Sequence, residues 1–175
     1  MQDHIPPTSL LMRDAPLYGY RDTCSVDLGP RSFTVDQVIS AFFDAAPRWL
    51  DGLMELRNTL VKPLGLKTGP VTVPVVAPPF LVGQTIGVFR IIERTETEVV
   101  LGENDRHLDF RVSLLLVRTG QGTELSISTL VRMHNLLGRG YFALVRPFHR
   151  YLVPIMARNT AQRLLADMPS PRSRL

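Results

Sequence analysis

The chain has 175 residues, 45% of them hydrophobic and 21% charged, with a formal net charge of +4 and a single cysteine. That length and balance suit one well-buried core and exclude an intrinsically disordered chain, which would be poorer in aliphatics and richer in charge. The lone Cys24 excludes an internal disulfide and a cysteine-based zinc site, and no apolar run approaches the roughly 20 residues that cross a bilayer.

The N-terminus, MQDHIPPTSLLMRD, has neither a basic n-region nor a sustained apolar h-region, so a cytoplasmic location is expected. Residues 1–16, with Pro6, Pro7 and Pro16 and no periodicity, read as a flexible arm, 17–167 as a single domain and 168–175 as a flexible tail. Charge is uneven. From Leu136 to Leu175 seven arginines stand against Asp167 alone, a local net charge of +6, which permits an anionic partner at Arg146 and Arg150. No nucleic-acid motif or aromatic interleaving accompanies it, and a solvated helix face is the plainer reading.

The alternation from Tyr18 to Leu28 predicts a first strand, with Tyr20, Asp22, Cys24 and Val26 on one side, ended by Gly29-Pro30. Thr34 and Gln37 have the spacing of a capping box, with Phe33 and Val38 placed as a hydrophobic staple, so a helix follows. Pro47 opens a second helix carrying Trp49, Leu50, Leu53 and Leu60 on a broad apolar side, closed by Pro63 and Gly65. Residues 68–84 are rich in proline and exclude a central strand; they suit a surface connection or a lid over a pocket.

Residues 86–135 read as a strand meander. A two-residue type II′ turn at Gly120-Gln121 sets Leu108 opposite Met133 and Leu116 opposite Leu125, and leaves one face almost wholly apolar. The other face sets His107 opposite His134 and Asp109 opposite Arg132. A tight turn at Asn104-Asp105 brings Glu98 beside Arg111 and Val100 beside Asp109, and a preceding strand lays Phe89 and Ile91 on this second, mixed face. A long helix is predicted from about Gly138 to Ala166, with Tyr141, Leu144, Val145, Phe148, Leu152 and Ile155 on one side and kinks or a break at Pro147 and Pro154.

Strand, two helices, antiparallel meander and long final helix is the order of the helix-grip fold of START, polyketide cyclase and plant pathogenesis-related proteins, an α+β class. The segments RWLDGLMELRNTLVKPLGL, ENDRHLDFRVSL and VRMHNLLGRGYFALVRPFHRYLVPIM resemble a bacterial family of unknown function placed near that superfamily, over roughly residues 17–158. The resemblance implies a curved sheet wrapped on the C-terminal helix and a cavity between them, but no catalytic residues.

H-E-x-x-H, P-loop, G-x-S-x-G and C-x-x-C motifs do not occur, and four scattered histidines give no basis for a metal site or cofactor. The constellation that merits a functional reading is His107, Asp109, Arg111, Arg132 and His134. It is either a salt-bridge ladder on a solvated sheet face, or an acid–base and anion-orienting group beside Phe89 in a pocket; Trp49, Tyr141 and Phe148 could line that pocket, and plain core packing is the commoner role for each. Three functions follow: binding of a hydrophobic or amphipathic small molecule, cyclase- or aromatase-like catalysis on such a molecule, or docking of the basic helix on an acidic partner.

Overall fold

The alternation seen in the sequence becomes a six-stranded antiparallel sheet in the computed structural model, which describes residues 4–47, Gly52, Glu55 and 77–166. In chain order the elements are β1 (Tyr20–Asp27), α1 (Val35–Asp44), β2 (Thr85–Ile86), β3 (Phe89–Arg94), β4 (Glu98–Asn104), β5 (Leu108–Thr119), β6 (Gly122–Met133) and α2 (Leu136–Ala166). The sheet order is β1-β6-β5-β4-β3-β2, with β1 as one edge. A short helix after β1 and a long C-terminal helix against one sheet face make the fold α+β and helix-grip-like. The second helix read near Trp49 and most of the proline-rich stretch lie outside the described residues; Gly52 and Glu55 are helical.

One sheet face and the two helices share the main core. Cys24 and Val26 of β1, Val99 and Leu101 of β4, Val112, Leu114 and Leu116 of β5, and Leu125 and Ile127 of β6 meet Val38, Ile39 and Phe42 of α1. Val153, Met156, Ala157, Ala161 and Leu164 of α2 close the layer. Each such large side chain, once buried, contributes about 1.5–3 kcal/mol. α1 begins where its sequence dictates: Thr34 Oγ1 accepts from Gln37 N at 3.2 Å while Gln37 Oε1 accepts from Thr34 N at 2.8 Å, satisfying two otherwise orphaned donors.

The β5–β6 register is the one read from the sequence, from Leu108↔Met133 to Thr119↔Gly122. The turn type is not. Positive φ falls at Gly122 (153°) and not at Gly120; Thr123 N donates to Gly29 O at 2.8 Å, and a Cβ on Gly122 would run into that carbonyl. The β4–β5 pairing departs by four residues: Glu98 faces Leu115, Val100 faces Ser113 and Gly102 faces Arg111. The cause is a turn centred two residues later, on Arg106-His107: Asn104 pairs with Asp109 and Asp105 N bonds Leu108 O at 3.1 Å. Phe89 and Ile91 also change sides relative to expectation, joining the apolar face beside α1 and α2. A bulge between Ile91 and Glu93 adds a residue to β3 and puts Ile92 on the opposite face.

Residues 4–16, read from the sequence as part of an arm, lie against the sheet. Leu10–Arg13 and Ala15–Leu17 form two 3-10 turns, and Ile5, Leu11, Ala15 and Tyr18 pack with Val100 and Leu130 on the sheet face away from α2. Glu98 is the peg. Its buried carboxylate accepts from Ser9 Oγ at 2.6 Å, from Leu10 N at 2.8 Å and from Ser113 Oγ.

α2 starts at Asn135, whose carbonyl accepts from Arg139 N at 3.0 Å and whose Oδ1 accepts from Gly138 N at 2.9 Å, the arrangement of an N-cap. Gly138 is required there, since a Cβ would collide with the His107 carbonyl. The helix runs unbroken through Pro147 and Pro154. Its inward residues are Phe142, Val153, Met156 and Ala157, whereas Leu144 and Phe148, expected inside, point outward because the first half of the helix is apolar on two sides.

Candidate functional site

Asp22 is a carboxylate on the apolar side of β1, between Tyr20 and Cys24. Alternation forces it under α2, where it is 2% exposed. Directly opposite on β6 stands Thr129, 3% exposed, and above the pair lies His149 of α2. The Tyr20 hydroxyl donates a short hydrogen bond to Asp22 Oδ2, and His149 Nδ1 approaches the same oxygen at 3.2 Å without hydrogen-bond alignment. Among the described residues, Asp22 Oδ1 and Thr129 Oγ1 have no hydrogen-bond partner at all. Buried polar atoms left without a partner cost stability, so the pair calls for a reason other than packing.

The surroundings are apolar and aromatic with a basic rim. Phe142 packs edge-on against Tyr20 at 4.7 Å between ring centroids, and the Arg146 guanidinium sits 5.5 Å over the Tyr20 ring on its outer side. Burial, and then the hydrogen bond to Asp22, push the Tyr20 phenol well above its ordinary value, so it stays a donor at neutral pH. Among the described strands β1 is an edge, so the cluster lies at the sheet margin. Chemically it offers a carboxylate oxygen that can accept from a hydroxyl or N–H, beside a hydroxyl free to donate or accept. Burial also raises the Cys24 thiol above its ordinary value, which disfavours the reactive thiolate on the neighbouring position.

The constellation singled out in the sequence lies elsewhere. Asp109, Arg111 and Arg132 alternate onto the face away from α2, where His134 Nε2 meets Asp109 Oδ2 at 3.0 Å. Arg132, although opposite Asp109 on the ladder, is exposed. Arg111 packs over Gly102 and bonds the Phe110 carbonyl at 2.8 Å and Asn104 Oδ1 at 2.7 Å. His107 Nδ1 lies 3.4 Å from Asn135 Nδ2, beside the start of α2.

Of the aromatic residues proposed to line a pocket, Phe89 stacks edge-on with Phe43 and Phe110 in the main core, Tyr141 is half-buried on α2 and Phe148 is half exposed on its outer side. Trp49 lies outside the described residues. Arg146 and Arg150 are exposed on α2, with Arg146 beside the Asp22 cluster.

Two surface clefts accompany these groups. One of about 350 Å³ runs along α1, lined by Thr34, Asp36, Ser40, Asp44, Pro78 and Leu164. The other, of about 280 Å³, lies over β3–β5 and includes Arg90, Gly102, Asn104 and Arg111. Neither lies between the sheet and the first half of α2. Among the described residues no three His, Cys, Asp or Glu side chains are grouped to hold a metal ion, and no helix is long and apolar enough to cross a membrane.

Asp22 would have been found by asking which charged residue shares the parity of an apolar strand face. Thr129 interrupts the series Leu125, Ile127 and Val131 in the same way, and His149 stands four residues before Val153 and seven after Phe142, on the inward side of the helix.

Residues 15–156 match the family model described as "Protein of unknown function (DUF2867)". The chain belongs to that family. The family match takes in every residue of the Asp22, Thr129 and His149 cluster. No curated protein matches the chain. Among solved structures, TTHA0849 from Thermus thermophilus is similar at 12% identity, over 85% of this chain and 98% of that one, with a TM-score of 0.38. CalU16 from Micromonospora echinospora is similar at 16% identity, over 83% and 82% of the two chains, with a TM-score of 0.29.

Proposed function

We propose that the protein binds a small amphipathic molecule between the β1–β6 edge of the sheet and the first half of α2, its polar end held by Asp22 and Thr129. The observation that carries this reading is the pair of buried, unpartnered atoms, Asp22 Oδ1 and Thr129 Oγ1, on directly opposed residues under the helix. A ligand hydroxyl or N–H satisfies the carboxylate, and its apolar body lies along Phe142 and the adjoining core. Pro147 and Pro154 each remove a backbone hydrogen bond from α2, which lowers the cost of lifting its first half to admit the molecule. The helix-grip relation to START and polyketide cyclase proteins belongs to the same proposal.

A ligand-observed NMR screen of amphipathic fragments tests it. Fragments with an O–H or N–H donor should bind the native protein, lose about tenfold or more in affinity in Asp22→Val, and bind Arg132→Ala as before. Binding that survives Asp22→Val but fails in Arg132→Ala would move the site to the opposite face of the sheet.

A second reading, catalysis on the bound molecule, rests on His149 standing 3.2 Å from Asp22 Oδ2 with Tyr20 as a further donor, a set able to move a proton. Turnover abolished by His149→Ala with binding retained is its expected signature.

A further inference from the structure

The outer side of α2 carries an apolar stripe that the core does not use. Leu144, Phe148 and Tyr151 are 56%, 49% and 69% exposed, and their spacing of four and three residues stacks them on successive turns of one face. Of the exposed arginines on this helix, Arg158 shares the stripe's face and Arg150 and Arg163 flank it, while Arg139 and Arg146 fall on the side toward the sheet; between Leu136 and Ala166 the helix has no aspartate or glutamate.

We propose that this face of α2 docks on an anionic membrane surface, lying parallel to it. Leucine and aromatic side chains enter the boundary between headgroups and acyl chains, while arginine stems run along the apolar surface and keep their guanidinium groups at the lipid phosphates. The absence of carboxylates leaves nothing on the helix for the lipid charge to repel. A nucleic acid would use the arginines and leave Leu144, Phe148 and Tyr151 in water. A second copy packed about a two-fold axis would bring two helices of like charge together, which opposes that occupant. The proposal stands on the apolar stripe of α2, which takes no part in the ligand site; Arg146 lies over the Tyr20 ring at that site's rim and is not counted toward the docking face.

Vesicle co-sedimentation decides it. The full chain should pellet with vesicles of phosphatidylglycerol and phosphatidylcholine in equal parts, but not with phosphatidylcholine alone, and added salt should weaken the association. The double variant Leu144→Ser, Phe148→Ser should lose about tenfold or more in partitioning, and Arg150→Gln on the order of fivefold. Both positions are solvent-facing, so thermal melts should match the native protein, and the Arg150→Gln arm holds even where the serine variant melts early. Failure to pellet with the anionic vesicles, or undiminished binding of Leu144→Ser, Phe148→Ser, overturns the proposal. So does a concentration-dependent dimer in light scattering that the serine variant dissociates, since the stripe would then serve a second copy.

Discussion

Thr129 and Thr123 stand three turns of alternation apart on β6, at 3% and 2% exposure, and the same substitution at each should move stability in opposite directions. Thr123 Oγ1 donates to Arg31 O at 2.7 Å, so Thr123→Val deletes a formed hydrogen bond and should destabilise by about 1 kcal/mol. Thr129 Oγ1 has no partner among the described residues, so Thr129→Val exchanges an unsatisfied buried hydroxyl for a methyl of the same shape and should stabilise by about 1 kcal/mol. In a chain of this size each kcal/mol shifts the melting temperature by about 2–4 °C, which separates the two variants by about 4–8 °C. Differential scanning calorimetry of the ligand-free protein reads the shifts directly. A fall in Tm for Thr129→Val comparable with that for Thr123→Val would mean that the hydroxyl is structurally satisfied, and that the site does not trade stability for binding.

Glu98→Ala should cost about 3 kcal/mol, since three donors lose a buried carboxylate, and should release the N-terminal segment to limited proteolysis near Leu10–Arg13; an unchanged cleavage rate would refute the peg. For Tyr20, the folded state holds the phenolic proton more tightly than the unfolded chain does, so its stabilising contribution is complete below the ordinary phenol value of about 10 and is lost as pH rises through the raised one. Tyr20→Phe should therefore flatten the alkaline fall in Tm and remove amplitude from the highest-pH phase of a 295 nm titration, and an unaltered profile would count against the Asp22–Tyr20 bond.

Local rules make much of this fold readable, and their failures have local causes. The Thr34 capping box and the β5–β6 register follow from chemistry within a few residues. The β4–β5 register does not, because a turn at Asn104-Asp105 and one at Arg106-His107 are both polar and keep the same face parity. The side taken by Phe89 depends on the β3 bulge, which apolar composition hides: Ile91 and Ile92 are both isoleucine, and only pairing with β4 shows which one is extra. The inward face of α2 is ambiguous in sequence because Leu144, Phe148 and Tyr151 continue an apolar pattern that faces solvent. The docked arm gives no local signal for lack of periodicity, its anchor being a glutamate 88 residues from Leu10. The polar ladder of Asp109, Arg132 and His134 stands out because charge is conspicuous in sequence, whereas Asp22 shows only as one charge at the parity of an apolar strand face, and its burial only once α2 covers it.

Native mass spectrometry of the protein purified from its own host, beside Asp22→Val produced in the same way, bears most directly on the idea of a molecule held under α2. A species retained by the native chain and absent from the variant, carrying at least one O–H or N–H donor, is the expected result. Identical bare masses for both proteins, with no amphipathic fragment protecting Asp22 and Thr129 in solution, would contradict it.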